Sequence, residues 1–233
     1  MKRTAFLLIA LMLLITCVPA SAEVTVQDIQ NAWAAANIES FHMNIQADLT
    51  VNVSMEGTTM QVPMAMDMNY IAKGDKGVVT AGVSMQGMQY MTMSYYFNGT
   101  QVTATINAMG QSQTITQAMP EPFNASTAIV FPEGTSLTPT DQGYEVTVTF
   151  AQLLSSLGDL SEELPMDVSG DADCVYLFGN DLMPVGGSAT FKGLTMSMQG
   201  MEFTMDGTMT MNYTGFNDVT DDELVAPTAS KAA

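Results

Sequence analysis

From Phe41 to Met55 apolar and polar residues alternate without a break. Phe41, Met43, Ile45, Ala47, Leu49, Val51, Val53 and Met55 are apolar; His42, Asn44, Gln46, Asp48, Thr50, Asn52 and Ser54 are polar. Successive side chains of a strand point to opposite faces, so the pattern predicts one long strand with a dry and a wet face. At ~3.3 Å per residue it spans about 50 Å, beyond the usual ~20 Å, and a strand of that length must twist. After Glu56-Gly57 the pattern returns with Met60, Val62, Met64, Met66, Met68 and Tyr70 on one face. The two stretches read as a long hairpin, and much of the remaining chain reads as further hairpins of the same kind.

Upstream, Val24 to Ser40 reads as a helix. Thr25 and Asp28 form a capping box, and Ile29, Trp33 and Ala36 share a face. Downstream, alternation continues through Val79–Met85, Met91–Phe97 and Val102–Ala108, with a hairpin signal at Asn98-Gly99. Met119 to Pro139 carries four prolines and reads as irregular. Tyr144–Phe150 alternates again. The period then changes to about 3.6, and Leu153, Leu154, Leu157, Leu160 and Leu164 predict a second amphipathic helix ending at Pro165. Asp167–Asp173 reads as an acidic loop. Cys174–Phe178 and Ala189–Met198 read as strands, the latter changing parity at Gly193, which predicts a β-bulge. Met201 to Tyr213 forms the last long strand, and the acidic tail from Asp218 is expected to fray.

Charge narrows the function classes. The chain has formal net charge −18, and beyond residue 22 its cations are Lys73, Lys76, Lys192 and Lys231, with no Arg. Phosphate binding needs clustered Lys and Arg, so nucleic acid is excluded as a partner. The same charge favours a soluble monomer. Lys2-Arg3, the apolar run Ala5–Leu14 and Ala20-Ser21-Ala22 read as a signal peptide over residues 1–22, with cleavage after Ala22. Leu14-Ile15-Thr16-Cys17 is the alternative, a lipobox with its anchor at Cys17. The expected division is a signal peptide over 1–22, one domain over 23–217 and a flexible tail over 218–233, in an exported chain of the extracellular space or cell envelope.

No catalytic pattern stands out. His42 is the one histidine and faces the wet side, and HExxH, CxxC and Gly-rich phosphate loops are missing. Cys174 sits in an apolar run and reads as a small hydrophobe. The loudest signal is methionine, 22 in all and only Met1 and Met12 within the first 22 residues. Met64/Met66/Met68, Met91/Met93, Met196/Met198 and Met209/Met211 each lie two apart, hence on one strand face. They could simply fill a core. They could line an adaptable apolar cavity, since methionine is unbranched and polarisable, with Trp33 from the covering helix. Thioethers also select Cu(I), but here they are spread over several strands. The expectation is a non-enzymatic protein with no metal and no cofactor.

The order of signal segment, helix, Met-rich hairpins, leucine helix and further hairpin strands resembles the LolA/LppX-like group of exported bacterial proteins. Segments such as Met64-Ala65-Met66-Asp67-Met68 and Thr208-Met209-Thr210-Met211-Asn212-Tyr213 resemble an uncharacterised Met-rich lipoprotein-like family of Gram-positive bacteria. The resemblance implies a mainly β fold with helices. Its strongly curved antiparallel sheet forms an open, unclosed β-barrel, covered on the concave side by the N-terminal and mid-chain helices. It implies an acyl chain or lipid as ligand, and a transient membrane or envelope-protein partner. Closed lipocalin-like and outer-membrane barrels share the alternation, but in the latter the apolar face points outward. The alternative to a binding protein is a structural or interaction domain of the cell envelope with a filled core.

Overall fold

The computed structural model describes residues 23–55, 58–119, 122–125, 131–132, 134–149, 151–152, 167–198 and 201–226. They form one helix, α1 (Val26–Ala35), and eleven strands. The strands are β1 (Ser40–Met55), β2 (Thr58–Lys73), β3 (Lys76–Met85), β4 (Met88–Asn98), β5 (Gln101–Ala108), β6 (Gln111–Ala118), β7 (Ser136–Thr140), β8 (Gly143–Thr149), β9 (Asp167–Gly179), β10 (Pro184–Met198) and β11 (Met201–Phe216). They build one sheet in the order β6-β5-β4-β3-β2-β1-β11-β10-β9-β8-β7. Every pairing is antiparallel. The sheet is unclosed, with β6 and β7 as its two edges.

The first and last long strands pair at the centre. β1 runs against β2 from Ser40↔Lys73 to Met55↔Thr58 with no slip, and against β11 from Phe41↔Phe216 to Ser54↔Glu202. One shift, between His42 and Met43, interrupts the second ladder. Because both neighbours of β1 keep its parity, the odd positions of β1 lie beside the even positions of β2 and the odd positions of β11 through Tyr213. The apolar face therefore continues across the strands. The predicted bulge is present: the β10–β11 register shifts between Phe191 and Leu194, and Gly193 takes φ +60°. A left-handed residue there restores the apolar parity for Leu194, which is 4% exposed.

α1 covers one end of the apolar face. Thr25 caps it with the expected box, its hydroxyl accepting from the Asp28 N–H while the Asp28 carboxylate accepts from the Thr25 N–H at 2.8 Å. The helix is shorter than the pattern suggested. It stops at Ala35, Asn37 turns left-handed at φ +48°, and Ser40 already belongs to β1. Ile29 is fully buried against Val146, Val148 and Phe178, and Trp33 lies edge-on to Tyr213 and Phe216. Nearby, Phe123 stacks on Phe97 and meets Tyr70, while its N–H donates to the Gly99 carbonyl and the Ala125 N–H to the Gly74 carbonyl. The core thus gathers at one end of the sheet.

Several expectations are corrected. Asp167–Asp173 is the first half of β9, not a loop: Asp171 registers with Lys192 and Asp173 with Thr190. Gln111–Ala118 is a strand, and Ser136–Thr140, inside the stretch read as irregular, is another. The Asn98-Gly99 turn moves on by one residue, since Asn98 pairs with Gln101 and leaves Gly99-Thr100 as the two-residue tip. The leucine-patterned helix expected over 153–164 lies outside the described residues. The tail does not fray at Asp218: Val219 and Leu224 are 5% and 6% exposed, packed on Val78 with Ile71 and Tyr96 beside them.

Candidate functional site: the methionine rows

Register brings the methionines together across strands. One row runs Met209–Ala47–Met66–Val83–Met91, and the next Met211–Ile45–Met68–Ala81–Met93. Met64 adjoins the first row, between Leu49 and Met85. Seven of the expected residues therefore form one field over β11, β1, β2, β3 and β4. Met196 and Met198 share the parity but register opposite Phe203 and Met201, at the far end of the β10–β11 ladder. Trp33 belongs elsewhere, in the aromatic cluster under α1, at 5% exposure.

The field has a repeated texture. Its methionines are half-buried, while the small residues between them are closed off: Ala47 at 4%, Ala81 at 5% and Val83 at 6% exposure. Cross-strand neighbours sit about 5 Å apart, so a long unbranched side chain beside alanine leans over it. This yields a compliant thioether surface whose backbone is sealed. Beyond the Met211 row comes the aromatic row Tyr213–Met43–Tyr70–Val79–Tyr95. Phe41 meets Tyr70 edge-on at 5.1 Å. The field is thus walled at one end and half-open over the methionines.

The chemistry of the face is neutral. Burial pushes the Tyr70 phenol up to about 12 and raises that of Tyr213, so both stay protonated at physiological pH. The Tyr95 hydroxyl donates to the Met93 sulfur at 3.8 Å. Cys174, on the same face opposite Ala189 and Val148, has its thiol raised by burial and secondarily by Asp173. A raised thiol holds little thiolate and is a poor nucleophile. Among the described residues no cluster of His, Cys, Asp and Glu has a metal-holding arrangement. The face offers dispersion and apolar burial, without charge.

One cavity lies away from the rows and another borders them. One of about 390 Å³ sits beside Tyr144, Leu177, Phe178 and Val185. One of about 430 Å³ reaches Leu49 and Met64 but also Asp48, Pro63 and Ala65 of the opposite parity, so it crosses to the polar side.

The polar face carries a feature that parity reasoning passed over. His42 is clasped between tail carboxylates, with Nε2 at 2.8 Å from Glu223 and Nδ1 at 3.3 Å from Asp218. Lys73 pairs with Asp221 at 2.8 Å. Glu223 is held down to about 2, first by the Thr220 N–H, then by His42 and the Thr220 hydroxyl. Ile71, Val78 and Tyr96 form one row on this otherwise polar side and receive Val219 and Leu224. Those three residues were the available signal, being apolar at positions where alternation calls for polar ones.

No family model matches the chain, and no curated protein matches it. Solved structures that resemble it include the ywiB protein from Bacillus subtilis, at 7% identity and TM-score 0.27, covering 78% of this chain and 99% of that one. A LolA superfamily protein from Nitrosomonas europaea aligns at 11% identity and TM-score 0.25, covering 87% and 98%. A DUF1329 family protein from Desulfovibrio piger aligns at 7% identity and TM-score 0.29, covering 86% and 97%. These are likenesses of broad outline only. Among the described residues no helix is long and apolar enough to cross a membrane.

Proposed function

We propose that this is an exported, non-enzymatic binding protein that takes an apolar ligand, a lipid or acyl chain, on the methionine rows. One observation supports the reading above others. Met64, Met66, Met68, Met91, Met93, Met209 and Met211 sit in adjoining rows on one face and stay partly exposed, while the small residues between them are buried. A core built only for stability would close over such side chains, since each fully buried methionine is worth about 1.5–3 kcal/mol. Thioether side chains also mould to varied shapes at low cost. In this reading the sheet curves around the rows. The lipid-anchored alternative at Cys17 changes where the protein sits and leaves the face unaltered.

The test is binding of an environment-sensitive apolar fluorophore to the purified protein. The parent should bind it. Met66→Asp and Met209→Asp should abolish binding, because an unpaired carboxylate in an apolar site is costly to desolvate. Thr210→Asp, opposite Gln46 on the polar face, should leave it intact. Absence of probe binding by the parent, with native mass spectrometry of host-purified protein showing no bound lipid, would establish the filled-core structural domain instead.

A further inference from the structure

The two edges of the sheet are treated differently. β7 is five residues long and carries Pro139, which cannot donate to a further ladder, and Asp141 follows it. Among the described residues β6 has no such protection. Its eight residues, Gln111–Ala118, are all exposed, contain no charge and no proline, and pair with β5 without a bulge. Such an edge is a ready template for another strand.

The sequence of that edge specifies which strand. Gln113-Thr114-Ile115-Thr116-Gln117 reads the same in both directions. An antiparallel partner centred on Ile115 therefore meets like with like. Ile115 falls opposite Ile115, Thr114 opposite Thr116, and Gln113 opposite Gln117.

The hydrogen-bond phase agrees with that centre. The Met119 N–H donates to the Thr100 carbonyl at 2.8 Å, which makes 100/119 a bonded pair. Bonded pairs recur every second residue, so Gln111, Gln113, Ile115 and Gln117 turn their backbone groups toward β5. Ser112, Thr114, Thr116 and Ala118 turn theirs outward. This outward set is symmetric about Ile115, and a second β6 satisfies it with about eight backbone hydrogen bonds. Ile115 then sits at the closely spaced, non-bonded position on the two-fold axis.

Side chains fit on both faces. Within the sheet Thr105 and Thr103 already bond Thr114 and Thr116 hydroxyl to hydroxyl, each at 3.0 Å. Pairing two copies continues that ladder from Thr114 to the mate's Thr116. On the apolar face Ile115, 46% exposed, gains its own copy.

Charge selects the same place. The excess of acid, net −18, opposes self-association over most of the surface. Between Lys76 and Glu121, however, the chain contains no Asp, Glu, Lys, Arg or His. That stretch holds the rest of β3 and all of β4, β5 and β6, so the lobe ending in the free edge is neutral. The argument from charge for a monomer does not reach it.

We infer that the protein forms a two-fold symmetric dimer by β6–β6 pairing, with the two sheets joined into one and the methionine faces on the same side. Closed two-fold pairing uses up both free edges and stops there.

Sedimentation equilibrium of the purified protein should give a dimer mass that falls to monomer on dilution. Ile115→Lys, which places two like charges opposite each other at an exposed position, should raise the dimer Kd at least about tenfold. In a background free of other cysteines, Ile115→Cys should form a disulfide-linked dimer on mild oxidation. Gln113→Cys alone should not, whereas Gln113→Cys mixed with Gln117→Cys should. A monomer mass up to about 1 mM, a dimer indifferent to Ile115→Lys, or self-linking of Gln113→Cys as strong as that of Ile115→Cys would each overturn the inference.

Discussion

Truncation of Met66 and of Trp33 separates a half-open face from a packed core. Trp33 is 5% exposed under α1, edge-on to Tyr213 and Phe216. Removing a buried tryptophan side chain leaves a walled hole, and Trp33→Ala should cost about 3–5 kcal/mol. Met66 is half-buried between Ala47 and Val83. Full burial of methionine contributes about 1.5–3 kcal/mol; Met66 is only partly buried and alanine keeps its Cβ, so the loss is about 1 kcal/mol, and on an open face no enclosed void adds to it. With a urea m-value of roughly 2 kcal/mol/M, Met66→Ala should lower the midpoint by about 0.5 M and Trp33→Ala by about 2 M. The assay is urea unfolding followed by circular dichroism, which does not depend on the tryptophan. Met66→Ala should also weaken binding of the apolar fluorophore. If it costs as much as Trp33→Ala while the parent binds no probe, the rows are a closed core and the reasoning fails.

Two further outcomes follow from other parts of the molecule. Glu223 has its folded pKa depressed from 4.5 to about 2, so its contribution to tail docking is complete above about 4.5 and is lost as pH falls toward 2. The methyl resonances of Val219 and Leu224 should move toward random-coil positions over that window, and in Glu223→Gln, which has no carboxylate to titrate, they should be displaced already at neutral pH; shifts unchanged down to pH 2 would contradict the clasp. Gly187→Ala places a Cβ 2.5 Å from the Val175 carbonyl, a backbone atom that cannot swing aside, whereas at Gly110, φ +77°, nothing lies within 4 Å. Thermal unfolding should show Gly187→Ala losing about 2 kcal/mol or more and Gly110→Ala about 1 kcal/mol, the ordinary cost of a left-handed backbone; equal losses would mean that crowding between β9 and β10 is absent.

Much of the central sheet was legible in the chain because its two faces meet different solvents. Alternation from Phe41 to Met55 assigned the side of every residue in β1, and the parity change at Gly193 located the bulge before any pairing was known. The Thr25/Asp28 capping box is likewise a local matter of hydrogen bonds three residues apart. The same parity put the methionines on one face. It could not say that Met209, Ala47, Met66, Val83 and Met91 form a single row, because that depends on register between strands distant in sequence.

Tertiary structure decided what periodicity does not encode. Gln111–Ala118 lacks apolar alternation because both its faces are wet, and it is a strand through its ladder to β5. Asp167–Asp173 is extended because β10 pairs with it, although its acidic composition favours a loop. The tail is held by His42, Lys73 and the Ile71–Val78–Tyr96 row, across nearly the whole chain. Alternation reports which side of a strand is dry. Pairing, edges and docked segments are set by which distant backbone groups satisfy one another, and that is fixed only when the chain closes on itself.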